Sequence, residues 1–252
     1  MKIVVSFAVG PEFAPWRRLR YFRRGLAEGI PVHEACIGDA EVRVVLTGVG
    51  LRNAERVMRT VLSDGAGVCI SSGLAGGLKG EHHLGEILVA RAVRSSRGNH
   101  FLRSDARLLQ LAVRAGAKLV DLVYSSESVV VTPRDKYRLG MFADAVEMES
   151  FAILSAAAAW GVPAIVVRAI SDPVSVELPY DLSQALNKRG QVSIPRVLSQ
   201  IAKAPQRLPA LMRLGRESRR AAVQLARFLD QYVESCASEV KRCAELQQVA
   251  AG

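Results

Sequence analysis

A single stretch of the sequence, residues 144–172, most constrains how this chain can fold. It reads DAVEMESFAILSAAAAWGVPAIVVRAISD, an alanine-rich helical segment followed by an apolar run. Gly161 ends the helix, and the run Ala164–Ile170 has the length and composition of a buried strand. Ser171 and Asp172 follow at the strand end where ligands bind in open α/β sheets. The stretch therefore predicts a helix–strand unit with polar groups at a ligand-binding edge.

Carboxylates stand at both ends of this predicted unit. Glu147 and Glu149 flank Met148 where the helix begins, and Asp172 closes the strand. Each acid has a structural explanation, because a helix dipole favours acids at the helix start and an Asp after a strand often caps a turn. The fold can also bring the helix start and the strand end to one crevice, where several carboxylates would suit acid–base chemistry.

The runs VEMES and VVRAISD resemble motifs of the nucleoside phosphorylase/nucleosidase superfamily, over roughly residues 1–172. The pattern is most similar to that of methylthioadenosine/S-adenosylhomocysteine nucleosidases. There an E-M-E run holds the ribose, and an R-x-x-S-D run carries the acid that protonates the purine. The resemblance implies that Glu149 accepts hydrogen bonds from the ribose, with Met148 on the sugar and Glu147 nearby. It also implies that Asp172, beside Ser171, is the acid.

The same resemblance implies further site residues. Glu12 follows the first predicted strand, where nucleosidases have an acid that activates the attacking water. Gly73 lies in the run SSGLAGGL, which is similar to the family loop T-G-x-A-G-G-L around the ribose. Val129 stands where the family has an aromatic residue that stacks on the purine. Arg168 interrupts an apolar strand and needs a buried partner, so it is a candidate to orient a carboxylate such as Glu12.

Departures from the family pattern leave the reaction open. Leu74 replaces a serine that helps hold the attacking water, and phosphorylases need positive groups for phosphate. Arg17, Arg18 and Arg52 are candidates for that role, although each fits a surface residue equally well. We expect N-glycosidic cleavage of a purine nucleoside by hydrolysis, with phosphorolysis as an alternative. A catalytically silent nucleoside-binding protein is a further alternative, because a fold does not fix a function.

Length and composition allow one large α/β domain, and the resemblance implies a central, mixed, twisted sheet flanked by helices, plus a helical C-terminal extension. The chain has 252 residues, half of them hydrophobic, and no run of 18 apolar residues long enough to span a membrane. We divide it into a core at 1–172 and a basic, proline-interrupted extension at 173–252. Strands are predicted at 2–9, 32–37, 41–47, 67–71, 85–93 and 118–124, and helices at 14–26, 53–63, 104–115 and 134–141.

Neither a metal nor another cofactor is expected. The four cysteines lack the spacing of a metal site, and the pair His82–His83 has no accompanying ligand pattern. The net charge is +10, yet no nucleic-acid-binding signature accompanies it, so a nucleic acid is not expected as a partner. The expected partner is a small-molecule nucleoside. A cytoplasmic location is expected from the thiol content.

The arginine-rich segment at 196–227 has two interpretations. An amphipathic helix there can pack on the core with a solvated basic face, which we favour, or it can contact an anionic membrane surface. A basic, apolar C-terminal region on this core is similar to the hopanoid-associated phosphorylase-like proteins, which are linked to removal of adenine from adenosylhopane. That similarity implies a hydrophobic 5′ substituent and a location at the inner face of the membrane. The family also implies a homo-oligomer.

Overall fold

The computed structural model describes residues 1–178, 206 and 208–250, with side chains described as far as Glu239. Within these ranges ten strands form one sheet. The strands are β1 Lys2–Phe7, β2 Arg23–Ala27, β3 Ile30–Ile37, β4 Ala40–Leu46, β5 Val68–Gly77, β6 Ile87–Ser95, β7 Phe101–Arg103, β8 Lys118–Ser125, β9 Ala145–Glu147 and β10 Ala164–Asp172. The helices are α1 Gly10–Phe13, α2 Trp16–Leu19, α3 Leu51–Ser63, α4 Ala106–Arg114, α5 Pro133–Gly140, α6 Ser150–Ala159 and α7 Leu208–Ala250.

The sheet is mixed, as the sequence predicts. Its strand order is β10-β6-β8-β9-β5-β1-β4-β3-β2, and β10 also pairs with β5, so that part of the sheet closes on itself. Strands β1, β5 and β10 are parallel neighbours, with Ser6 opposite Ser71 and Asp172 opposite Gly76. Because parallel strands end at a common edge, the segments that follow β1 and β10 meet there. The prediction of a mixed α/β sheet flanked by helices is confirmed.

Two apolar layers cover the sheet. One layer includes the buried face of α7, in which Leu225, Leu229 and Tyr232 belong to the same cluster as residues of β1 and β10. The Tyr232 hydroxyl also donates a hydrogen bond to the carbonyl of Leu108 in α4. The other layer is formed by α3 and α6. Since burying one large apolar side chain contributes about 1.5–3 kcal/mol, α7 stabilises the fold substantially.

The predicted helix at 14–26 is wrong in its second half. The chain forms the short helices α1 and α2 and then turns extended at Arg20 to enter β2. Phe22 packs edge-on against Trp16, so an aromatic cluster rather than a continued helix buries this segment. A Cβ at Gly25 would lie 2.8 Å from a carboxylate oxygen of Glu34, which shows how closely β2 approaches β3. Tertiary packing has overridden local propensity here.

The predicted ends of two central strands are also wrong. Strand β5 continues through the glycine-rich run as far as Gly77 instead of ending at Ser71. Its glycines weaken it locally, but backbone pairing with β1, β9 and β10 compensates. Ser171 and Asp172 are the last residues of β10 rather than residues that follow it. The short strands β7 and β9 were not predicted.

Candidate active site

A cavity opens at the common carboxyl edge of β1, β5 and β10. It gathers most of the residues that the sequence singles out: Glu12, Val129, Glu147, Met148, Glu149, Ser171 and Asp172. Gly73 and Arg168 lie behind its wall, where a Cβ on Gly73 would sit 2.9 Å from Arg168 Nη1 and 3.4 Å from Glu12 Oε1. The candidate residues therefore form one constellation, although they come from distant parts of the chain.

Glu12 is held at the start of α1 by backbone donors. Its Oε2 accepts hydrogen bonds from the N–H groups of Ala8 at 3.0 Å and Val9 at 3.3 Å, and its Oε1 accepts one from Leu74 N–H at 3.1 Å. Burial raises the pKa of the Glu12 carboxyl, and these hydrogen bonds together with the Arg168 charge offset only part of that rise. A fixed carboxylate with a raised pKa is suited to act as a general base.

Arg168 forms its ion pair with Glu147 rather than with Glu12, and its role in orienting Glu12 stays a prediction. Its Nη2 donates to Glu147 Oε2 at 2.7 Å, to Ser150 Oγ at 2.7 Å and to Ser71 Oγ at 3.1 Å. The strand places Arg168 beneath the start of α6, nearer to Glu147 than to the loop after β1. Its charge reaches Glu12 only through space.

Glu147 closes the wall of the cavity and has its oxygens engaged by protein groups. Ser125 Oγ donates to Oε1, while Oε2 accepts from the N–H groups of Glu149 at 2.9 Å and Ser150 at 2.8 Å. Burial alone would raise the pKa of Glu147, but the Arg168 charge and these hydrogen bonds hold it below the usual value. Glu147 is therefore an ionised support for the start of α6.

Glu149 is the N-cap residue of α6, at the position that the sequence predicts for it. Its Oε1 accepts a hydrogen bond of 2.8 Å from the N–H of Gly50, which joins the β4–α3 turn to the site. Burial raises the pKa of the Glu149 carboxyl, and the neighbouring charge of Glu147 raises it further. Met148 lines the cavity between the two acids.

Asp172 is buried and held by two side chains. Ser171 Oγ donates to its Oδ1 at 2.5 Å, and Lys136 Nζ donates to its Oδ2 at 2.6 Å. Lys136 is wholly buried on α5. Sequence reasoning missed this residue, because one lysine in a polar helical segment is normally solvated. No spacing or motif in the sequence signals it.

The remaining wall is apolar. Val129, Val130, Val146 and Leu178 line it, and Leu178 N–H donates to the carbonyl of Val131 at 3.0 Å. In the part of the chain that the structure describes, the lining includes no aromatic side chain. Nor do the described residues include a cluster of three His, Cys, Asp or Glu that could hold a metal ion.

The cavity lies at the carboxyl edge of a partly closed α/β sheet and has a general-base candidate and a second carboxylate beside an apolar wall. This combination is typical of an enzyme active site. It suits acid–base cleavage of a ligand that has both hydroxyl groups and an apolar ring. The model of the phosphorylase superfamily matches residues 2–203, so the chain belongs to that superfamily. The match continues beyond Asp172, where the recognisable motifs end.

Individual relatives agree with this family. A 5′-methylthioadenosine/S-adenosylhomocysteine nucleosidase of Shewanella halifaxensis is 27% identical over 226 residues, which cover 79% of this chain and 98% of that protein. The structure of the nucleosidase of the same name from Campylobacter jejuni superposes with a TM-score of 0.70 at 19% identity, covering 93% and 99% of the two chains. Futalosine hydrolase of Helicobacter pylori gives 0.72 at 20% identity, covering 93% and 97%.

The predicted superfamily, the fold and the assignment as an enzyme of this superfamily are thereby confirmed. Within the described ranges, no helix combines the length and apolar character needed to cross a membrane. The homo-oligomer, the cytoplasmic location and the membrane contact of the basic segment stay predictions. The part of that segment at 196–205 lies outside the described residues.

Proposed function

We propose that this protein cleaves the N-glycosidic bond of a purine nucleoside, with adenine as the base and water as the nucleophile. The observation that supports this most is the meeting of Glu12, Glu149 and Asp172 in one cavity at the edge of β1 and β10. The reaction needs a base for water, an acceptor for sugar hydroxyls and an acid at the leaving purine, and each carboxylate fits one of these needs. The names of the relatives support the same substrate class.

The proposed steps use these carboxylates in turn. As the bond from the anomeric carbon to the purine breaks, its electron pair passes to the base, which takes a proton through Asp172. Glu149 accepts hydrogen bonds from the ribose hydroxyls while positive charge develops on the sugar. Glu12 takes a proton from the water, whose oxygen bonds to the anomeric carbon. The products are a free purine and a reducing sugar.

The other candidate residues have supporting roles in this proposal. Met148 packs on the sugar, and Val129 flanks the base with the rest of the apolar wall. Gly73 leaves room for Arg168 to approach Glu12, since any larger residue would put a Cβ against the guanidinium. Ser171 fixes Asp172 through its hydroxyl. Arg168 and Glu147 support the start of α6.

Electrostatics favours water over phosphate as the nucleophile. The described residues that line the cavity include four acidic side chains but no arginine or lysine that could bind a phosphate anion. Leu74 presents its backbone N–H to Glu12 rather than to the cavity. Arg17 and Arg18 are exposed, although Arg18 lines a neighbouring cavity. Phosphorolysis therefore stays the second candidate.

The neighbouring cavity supports a hydrophobic 5′ substituent. It has a volume of about 490 Å³ and shares Val9, Glu12 and Leu74 with the first cavity. Most of its other lining residues are small or apolar, including Ala14, Pro15, Gly215 and Ala222. An apolar 5′ group could leave the nucleoside cavity along this path and pack against α7.

The test is detection of free adenine by chromatography from a panel of adenine nucleosides, with and without phosphate. The panel includes methylthioadenosine and an adenosine with a long 5′-alkyl chain. Release without phosphate is the expected result. Release only with phosphate would establish a phosphorylase, and binding without release from any member would favour a silent binding protein.

Two glycine variants test the path of the 5′ group. A Cβ at Gly215 meets nothing within 4 Å, so Gly215→Phe should fill the second cavity without a clash at that atom. We expect it to raise KM for the long-chain substrate at least tenfold and to leave methylthioadenosine unaffected. Gly80→Phe, at an exposed glycine with equally open space, is the matched control. Equal effects on both substrates would contradict this path.

A further inference from the structure

A buried lysine stands behind Asp172 with all of its hydrogen-bonding capacity in use. Lys136 Nζ donates to Asp172 Oδ2 at 2.6 Å, to the carbonyl of Val176 at 2.8 Å and to that of Pro173 at 3.2 Å. The side chain has no solvent exposure. Three acceptors match the three N–H donors of an ammonium group, so the lysine is charged in this arrangement.

Asp172 therefore differs from an isolated buried carboxylic acid. Its two oxygens are occupied by Lys136 and Ser171, and Gly76 leaves Oδ2 just enough space, since a Cβ there would lie 3.0 Å from it. A carboxylate facing an ammonium is stabilised in its ionised form. An ionised Asp172 cannot protonate a leaving base until it receives a proton. Of its two contacts, the ammonium group of Lys136 is a far stronger acid than the hydroxyl of Ser171.

We propose that Lys136 and Asp172 work as one proton-donating pair, in which Lys136 positions Asp172 and supplies the proton that Asp172 passes to the leaving base. This rests on the proposed N-glycosidic cleavage. Lys136 Nζ gives a proton to Asp172, and the resulting carboxylic acid gives a proton to a ring nitrogen of the purine. Lys136 is left as a neutral amine and Asp172 as a carboxylate.

Charge is conserved over this sequence of steps. Breaking the bond leaves a negative charge on the purine, and the proton delivered by Lys136 and Asp172 neutralises it. Glu12 loses its own negative charge when it takes a proton from the attacking water. After the reaction, Lys136 and Asp172 together hold one proton fewer than before, and Glu12 holds one more. Solvent returns the system to its starting state by removing the proton of Glu12 and reprotonating Lys136.

The position of Lys136 on α5 agrees with this role. Through the carbonyls of Pro173 and Val176, it also fixes the segment that leaves β10 and reaches Leu178 in the cavity wall. Thr132 caps α5 by accepting from the N–H of Asp135, so the helix that carries Lys136 has a fixed start. A purely structural role for Lys136 would rest on these same contacts, and the experiment must separate the two.

The experiment compares two leaving groups in Lys136→Gln. Glutamine keeps a hydrogen-bond donor but has no proton to give at neutral pH. We expect kcat for adenine release to fall about 100-fold or more, the usual size of an acid–base contribution. Cleavage of 4-nitrophenyl riboside, whose leaving group departs as a stable anion without protonation, should stay within about threefold of wild type, a small change on that scale.

Four further proteins complete the design. Lys79→Gln is the control for loss of a lysine–aspartate pair, because Lys79 also pairs with a buried aspartate, Asp144, at 2.5 Å but is 41% exposed and lies outside the cavity lining. It should not change either rate. Glu12→Gln should lower both rates, since both substrates need water activated. The double variant with Asp172→Asn should release adenine no more slowly than Asp172→Asn alone, because the two residues act as a unit.

The outcomes are distinct. Equal losses on both substrates in a folded Lys136→Gln protein would show that the lysine is structural, and an unchanged rate of adenine release would overturn the proposal outright. Additive losses in the double variant would also overturn the proposal. If wild type does not cleave the nitrophenyl riboside, the comparison of the double variant with Asp172→Asn is sufficient by itself. Failure of the proposed function is seen separately, as the absence of adenine release by wild type.

Discussion

Arg168 and Glu147 form an ion pair at 2.7 Å in which neither side chain is more than 2% exposed. The pair joins β10, which carries Asp172, to the last residue of β9, two residues before Glu149. Two charges removed from water are costly unless they are paired and hydrogen-bonded, and Ser71 and Ser150 complete the set of partners. The arrangement of the site therefore depends on a pair that need not touch the substrate.

We predict that Arg168→Met destabilises the protein by about 3–5 kcal/mol, because it leaves Glu147 buried and unpaired. Urea unfolding followed by circular dichroism measures this. Arg59→Met is the control, since Arg59 is 65% exposed and its helical pair with Glu55 should contribute little. Adding Glu147→Gln to Arg168→Met should recover part of the loss. A loss below about 1 kcal/mol would mean that the pair does not stabilise the fold.

The sequence predicts the cavity carboxylates Glu149 and Asp172 better than the buried residues that support them. The positions of Glu149 and Asp172 follow from a local helix–strand pattern, with Glu149 at the start of α6 and Asp172 at the end of β10. The partner of Arg168 depends on how α6 sits on β10, and Lys136 becomes important only because the start of α5 packs against the end of β10. Such long-range packing leaves no trace in local periodicity. Strand β2 was missed for the same reason.

Asp172→Asn tests the acid at the leaving base. Asparagine can keep a hydrogen bond with Lys136 but cannot pass on a proton, so adenine release should fall by about 10²–10⁴ while the protein stays folded. The measurement is kcat for adenine release, with a thermal melt as the check on folding. Asp121→Asn, at a carboxylate that is 89% exposed, is the control. Full activity in Asp172→Asn would show that the acid lies elsewhere.

The pH dependence of kcat/KM tests Glu12. A general base must be ionised, and burial raises the pKa of Glu12 above its ordinary value of 4.5. The rate should therefore climb with pH through this raised pKa, so that the acidic limb lies at higher pH than for an exposed glutamate. Glu12→Gln should lower the rate by about 10²–10⁴ and remove that limb. A limb at the ordinary value, or one that survives in Glu12→Gln, would assign the base to another group.

Stability should fall with rising pH because of Glu149. Burial and the charge of Glu147 raise its pKa in the folded protein above the ordinary value of 4.5, so the native state holds a proton that the unfolded state has lost. Between these two pKa values the free energy of unfolding decreases as pH rises, by at most about 1.4 kcal/mol per pH unit for one proton. Below 4.5 and above the folded pKa, this contribution no longer changes.

Glu149→Gln isolates that contribution, because glutamine does not titrate. Glu12, whose pKa is also raised, likewise lowers the free energy of unfolding as pH rises. Glu147, whose pKa is lowered, acts in the opposite direction, because its stabilising charge is lost as pH falls. The quantity to measure is therefore the difference in free energy of unfolding between wild type and Glu149→Gln, from urea titrations at several pH values. It should shift in favour of the variant as pH rises from 4.5. A difference that stays flat with pH for Glu149→Gln would mean that the pKa of its carboxyl is not raised in the folded protein.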